Sequence, residues 1–196
     1  MKIDLIELSG FKSVADTSLE DLTAFSVFAG PNGSGKSNFA DALAFVGAVV
    51  ESGAVKALRQ FRGFAQVHSY KLRRNNARTF GFKLHATLDG QALQYQLKVH
   101  DMDTDPQVDE LLTVNGKKAL ERKKGGEPQV WSDDADKPFS VEKFPADMSG
   151  LMFTQSEYKL HDFLTNVEVF RFDPMGAKEP DGSSADTTAL HPNGNN

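Results

Sequence analysis

Cysteine is absent from the 196 residues. That excludes a disulfide framework, a thiol nucleophile and a thiolate-ligated zinc site. Positive charge is not in excess either: 22 Lys and Arg face 27 Asp and Glu, a net charge of −5. A generally basic, histone-like binder is excluded, and only local cationic patches remain to consider. Long apolar runs are also missing. The longest, Ala42–Val50, falls far short of the roughly 20 residues that span a bilayer. The opening MKIDLIELSG sets Asp4 and Glu7 among apolar residues, unlike a secretory leader. The expectation is a soluble, cytoplasmic protein without membrane contact. With 39% hydrophobic and 25% charged residues, the composition is that of an ordinary globular domain, long enough to bury roughly 70% of its extended surface.

Periodicity sets the elements. Ile3, Leu5, Ile6 and Leu8 predict a strand that breaks at Gly10, Thr17–Leu22 a second, and Ala24–Ala29 a short buried one. Asn38–Val50 is apolar on nearly every side and rich in Ala, as expected of a helix packed inside a domain. Thr79–Leu88 and Ala92–His100 alternate polar and apolar residues around Asp89-Gly90, and Glu110–Val114 and Lys117–Arg122 do so around Asn115-Gly116. Both dipeptides are hairpin signals, so an antiparallel β-layer is predicted over residues 78–124. Residues 156–166 read as a helix with Leu160, Phe163, Leu164 and Val167 on one face, followed by a strand over 168–172. The stretch from Asp173 has no aromatic residue and is rich in Gly, Pro, Ser, Asp and Asn, the composition of a flexible tail.

Between the predicted strand 24–29 and the predicted helix lies Gly30-Pro31-Asn32-Gly33-Ser34-Gly35-Lys36-Ser37. It satisfies G-x-x-x-x-G-K-[ST], the phosphate-binding P-loop, in the strand–loop–helix context that the motif requires. Gly30, Gly33 and Gly35 allow tight turning and close approach of backbone N–H groups to phosphate oxygens. The start of the following helix adds a partial positive charge. Lys36 is expected to reach the β- and γ-phosphates, and Ser37 to offer its hydroxyl to Mg²⁺. Pro31, Asn32 and Ser34 complete the loop around the nucleotide.

The segments IELSGFKS and FAGPNGSGKSNFADAL, with the spacing between them, resemble the amino-terminal part of SMC- and RecF-type ATPases, the chromosome-maintenance and DNA-repair branch of ABC-type P-loop proteins. Asn38 directly after the P-loop Ser, and the GFKS turn before it, carry the likeness. The later part is similar, more loosely, to single-chain AAA-type relatives of phage-defence systems. The resemblance implies ATP and Mg²⁺ as cofactors and Lys12 and Ser13 as secondary nucleotide contacts; a solvated loop lysine is the other reading of Lys12. It also implies a Walker B strand ending in Asp-Glu and a Ser-Gly-Gly signature loop. Neither is found. Asp109-Glu110 does not follow an apolar strand, Leu19-Glu20-Asp21-Leu22 fails as well, and Met148-Ser149-Gly150-Leu151 and Ala189-Leu190-His191-Pro192 are chance likenesses. Gln155 stands where a Q-loop glutamine would lie, or is a polar residue beside a Ser156 helix cap.

Ser52–Leu88 contains Lys56, Arg59, Arg62, Lys71, Arg73, Arg74, Arg78 and Lys83 and no Asp or Glu. It reads either as a contact with a DNA backbone over residues 56–83 or as a solvated face, with Phe61, Phe64 and Tyr70 as packing residues. The five histidines lack metal-ligand spacing, and Asp101, Asp103 and Asp105 lack the remainder of a calcium loop.

The reading is an α/β protein: a P-loop core sheet with an appended antiparallel β-layer, resembling the first lobe of an ABC-ATPase head cut before the signature and Walker B motifs. Residues 1–172 form the partial head (P-loop core 1–52, basic loop and β-layer 53–124, loop-rich and helical part 125–172), and 173–196 the tail. ATP binding is expected, with hydrolysis once an ATP-dependent second copy or a completing half is supplied, in DNA repair, chromosome maintenance or phage defence. Two alternatives stay open: a non-catalytic interaction module that keeps its P-loop, and a different P-loop NTPase or kinase.

Overall fold

Asp89-Gly90 and Asn115-Gly116 set the frame of the sheet. All four residues have positive φ (50° and 83°, 50° and 78°), the backbone of two-residue turns whose twist matches the strands they join. They connect β3 (Phe80–Leu88) to β4 (Gln91–His100) and β5 (Gln107–Val114) to β6 (Lys117–Arg122). The computed structural model describes residues 2–132, 137–154 and 159–170, without the side chains of 74 and 75. The chain divides into two units, Met1–Asn166 and Val167–Asn196. In the second, only 167–170 are described, and they carry no strand or helix.

In the first unit β1 (Lys2–Phe11) and β2 (Val14–Leu22) make a further hairpin, and the two-residue strands β7 (Gln129–Val130) and β8 (Phe139–Ser140) close the series. All belong to one antiparallel sheet in the order β2-β1-β3-β4-β5-β6-β7-β8. Strand alternation gives it one apolar face, on which Leu8, Phe82, Leu84, Tyr95, Leu97 and Leu112 are each at most 4% exposed. That face joins a single core with helix α1 (Lys36–Ser52). Phe45 of α1 meets Phe11, Phe61 and Phe80 with ring centroids 5.6, 5.3 and 5.1 Å apart, the last two pairs edge-on, the arrangement favoured by the aromatic quadrupole. Short helices α2 (Ala54–Gln60), α3 (Phe64–Val67) and α4 (Arg74–Ala77) lead from α1 to β3, and α5 (Leu160–Thr165) follows a 3-10 turn at Leu151–Thr154. At Gly47 a Cβ would stand 2.6 Å from the Leu164 carbonyl oxygen, so only glycine lets α1 and α5 approach this closely.

Several expectations need correction. Ala24–Ala29 is neither strand nor buried: it makes no ladder, and Phe25 and Val27 are 82% and 73% exposed. Strand propensity acts only when another strand takes up the backbone groups, and no strand of the sheet, not even the edge strand β2, pairs with this segment. A separate P-loop core sheet is accordingly not seen among the described residues. The first hairpin, expected in that core, is instead part of the antiparallel sheet. Gly10 does not break β1; its positive φ of 77° and the Thr79 carbonyl, 2.1 Å from where a Cβ would sit, require glycine within a continuous strand. The basic loop holds three short helices. Residues 168–170 form no strand, and no described residue pairs with them in a ladder. Gln155, Ser156, residues 171–172 and the predicted tail lie outside the described residues.

Candidate nucleotide-binding site

The loop 30–35 departs from extended backbone where its sequence permits it. Gly33 and Gly35 take φ of +81° and +102°, a region that is costly for residues with a Cβ. A Cβ on Gly35 would lie 3.1 Å from the Ser13 hydroxyl. Gly35 is the N-cap of α1, without a side-chain capping bond, and the first turn holds no acidic residue. The amide groups at this end and the helix dipole are therefore unopposed by any carboxylate of that turn. Lys36 curls over the loop: its ammonium donates to the carbonyl oxygens of Gly30 (2.7 Å) and Pro31 (2.9 Å) and to the Ser34 hydroxyl (3.2 Å). Ser37 is exposed, and its hydroxyl makes no hydrogen bond among the described residues.

The β1–β2 turn is fastened to the first two turns of α1. The Lys12 ammonium pairs with Asp41 at 2.7 Å, with side chains 28% and 11% exposed. Asn38 donates its amide to the Ser13 hydroxyl at 2.7 Å. Positions 38 and 41 are three apart and so share a helix face, which places Lys12 and Ser13 beside the loop. Both are engaged with α1 here. Lys12 adopts φ 48° and lies 5.2 Å from the centre of the Phe11 ring.

In front of the loop opens a cleft of about 450 Å³, within the range of small-ligand sites. Ser34, Gly35 and Lys36 form one side, Ser13 to Thr17 of the turn and β2 another, and Val27, Phe28 and Phe39 an apolar wall. The rings of Phe28 and Phe39 lie 5.5 Å apart. The strand propensity of β2 gave no hint that it lines a cleft. Lys71, 35 positions from Lys36, also lines it, and the only sequence signal for that was its membership of the basic run.

The rejected motifs are taken up by structure. Glu110, 1% exposed, accepts hydrogen bonds from the Tyr95 hydroxyl (2.6 Å), the Ser149 hydroxyl (2.6 Å) and the Gly150 amide (2.7 Å). Burial pushes its carboxyl above the ordinary carboxylate range, opposed by those three donors and by Arg122. Neither Glu110 nor Ser149 lines the cleft. Asp101 and Asp103 pair with Lys124 (2.6 Å) and Arg78 (3.1 Å), and among the described residues no three His, Asp or Glu converge as metal ligands. Tyr70 is 69% exposed, not a packing residue; Phe61 joins the core and Phe64 stacks on His68. Among the described residues no helix is long and apolar enough to cross a membrane.

Residues 25–150 match the family described as "AAA domain, putative AbiEii toxin, Type IV TA system". The match covers more than half of the chain, and the chain belongs to this family. It is also similar to the Chromosome partition protein Smc of Methanocaldococcus jannaschii, 41% identical over 69 residues, which are 35% of this chain and 6% of that protein. The chain thus spans a small part of that relative's length. The likeness to the amino-terminal part of an SMC- and RecF-like AAA ATPase stands on both matches.

Proposed function

We propose that this chain binds Mg·ATP at Gly30–Asn38 and forms part of an SMC/RecF-like ATPase head. The observation that carries the reading is the uncapped start of α1, with left-handed Gly33 and Gly35 and with Lys36 at its mouth, opening onto the 450 Å³ cleft. Phosphate oxygens would take the place of the loop oxygens that now receive the Lys36 protons. Gly30, Pro31, Asn32, Gly33, Ser34 and Gly35 would surround the phosphates, and Lys36 would carry the catalytic charge. The free Ser37 hydroxyl fits a Mg²⁺ contact. When bound there, the metal would supply charge neutralisation of the phosphates. Ser13, which lines the cleft, and Lys12 beside it would be secondary nucleotide contacts, held by Asn38 and Asp41.

No acidic strand end of Walker B type is present in the sequence, so turnover by this chain alone is expected to be low. A second copy, or a completing half, would supply the missing groups in an ATP-dependent association. Lys56, Arg59, Arg62 and Arg73 are exposed and make no ion pair among the described residues. That favours a DNA-backbone contact in the first part of 56–83, whereas Lys83 pairs with Glu7 at 3.4 Å. The setting we propose is cytoplasmic, in DNA repair, chromosome maintenance or phage defence. Calorimetry with Mg·ATP is the test: saturable heat with wild type and its loss with Lys36→Ala are expected. No uptake by folded wild-type protein would refute the reading, and stronger binding of GTP would favour a different P-loop enzyme.

A further inference from the structure

We infer that Lys71 is a second phosphate-binding cation of this site and that it selects a triphosphate over a diphosphate. The inference rests on the nucleotide-binding reading above. Three observations carry it. Among the described residues lining the cleft, the cations are Lys36 and Lys71, and Asp16 is the one carboxylate. Lys36 is the loop's own cation, donating to Gly30, Pro31 and Ser34, the oxygens that phosphate would replace. Lys71 is exposed, and among the described residues it makes neither a hydrogen bond nor an ion pair. It sits between α3 and α4, on the stretch from Ser52 to Leu88 that contains no acidic residue at all. No carboxylate of its own segment competes for it.

Charge balance says what such a lysine is for. Mg·ATP carries about two net negative charges and Mg·ADP about one. Lys36 balances the diphosphate alone; a second cation at the cleft finds a partner only when the third phosphate is present. A charged group that meets its counterion only in one ligand discriminates by differential affinity. An ammonium is also a flexible point charge on a long stem, suited to following a phosphate rather than gripping a fixed plane.

The test compares Mg·ATP and Mg·ADP titrations of wild type, Lys71→Ala, Lys71→Arg and the exposed hairpin control Lys117→Ala, all checked for unchanged melting temperature. Lys71→Ala is expected to weaken Mg·ATP about tenfold and Mg·ADP less than about threefold, at the lower end for a charge-assisted contact. Lys71→Arg should recover most of the loss, and Lys117→Ala should change neither by twofold. Raising salt should reduce the ATP preference of wild type and leave that of Lys71→Ala nearly flat. If wild type binds Mg·ATP and Lys71→Ala binds each nucleotide as tightly as wild type does, or weakens both by the same factor, the inference about Lys71 is overturned while the site stands. If wild type binds neither nucleotide, the site itself is wrong.

Discussion

Replacing Arg122 by Met tests what holds the far side of this fold together. Arg122 is fully buried. It donates from Nε to the Gly126 carbonyl (2.7 Å), from one terminal nitrogen to Met148 and from the other to Pro145 (2.7 Å), with Phe144 stacked 5.1 Å away. Burial pulls its pKa down, while the charges of Glu110 and Asp147 raise it. The segment it holds, residues 145–150, then fixes the start of α2: the Ala54 amide donates to the Asp147 carbonyl at 2.8 Å and the Val55 amide to its carboxylate at 3.3 Å. Met would fill the volume but remove the guanidinium donors from the Gly126, Met148 and Pro145 carbonyls, of which Pro145 retains the Met148 amide at 3.2 Å, and leave Glu110 without its opposing charge. Each charge-assisted hydrogen bond is worth about 1.5–3 kcal/mol, and relief of the guanidinium's desolvation offsets part of the sum. The net loss expected is about 3–5 kcal/mol, the usual size for breaking a buried charge network from one side. Followed by circular dichroism in urea, this lowers the midpoint by about 2 M at a slope of about 2 kcal/mol per M. Arg122→Lys, which keeps the charge but loses the fork, should fall between Met and wild type. Hydrogen exchange at the Ala54 amide should speed up in step. A midpoint within about 0.3 M of wild type would show that the loop is held by packing instead.

Other outcomes follow from single contacts. Gly47→Ala drives a methyl to within 2.6 Å of the Leu164 carbonyl and should cost about 1–3 kcal/mol in denaturant melts. Gly35→Ala must hold φ at +102° and crowd the Ser13 hydroxyl at 3.1 Å; a stability loss of about 1–2 kcal/mol is expected, together with weakened nucleotide binding in the same calorimetric assay as wild type. Burial raises the Glu110 carboxyl above its ordinary value of 4.5, so the folded state holds this proton more tightly than the unfolded chain. Its contribution is fully present below that ordinary value and is lost as pH climbs through the raised one. Urea midpoints measured across that range should fall with pH in wild type and less steeply in Glu110→Gln. Asn38→Ala removes the 2.7 Å bond to Ser13 and should cost about 0.5–1.5 kcal/mol, with Ser13→Ala non-additive to it in a double-mutant cycle.

Some of this protein was legible because it is local. Lys36–Ser52 is helical for the reasons seen in its residues, and it starts at Lys36 rather than the expected Asn38. Asp89-Gly90 and Asn115-Gly116 announced their hairpins, since few residues tolerate positive φ at both central positions. The P-loop was visible as a string of glycines ending in Lys-Ser, and its left-handed glycines and bare helix start follow from the same letters. Glu110 and Ser149 were not legible, because what makes them structural is a pair of hydrogen bonds across about forty residues of chain.

The sequence by itself determined the helix, the hairpin turns, the phosphate loop and the family, because each is written in neighbouring residues whose backbone preferences do not depend on distant partners. Tertiary structure alone decided the rest. It placed the first hairpin in the same sheet as the later strands, left Ala24–Ala29 outside any ladder, put Arg122 in the interior and brought Lys71 to the cleft of Lys36. The physical reason is common to all four: strand pairing, burial and charge placement depend on which distant residues arrive alongside, and periodicity says only which face a residue is on.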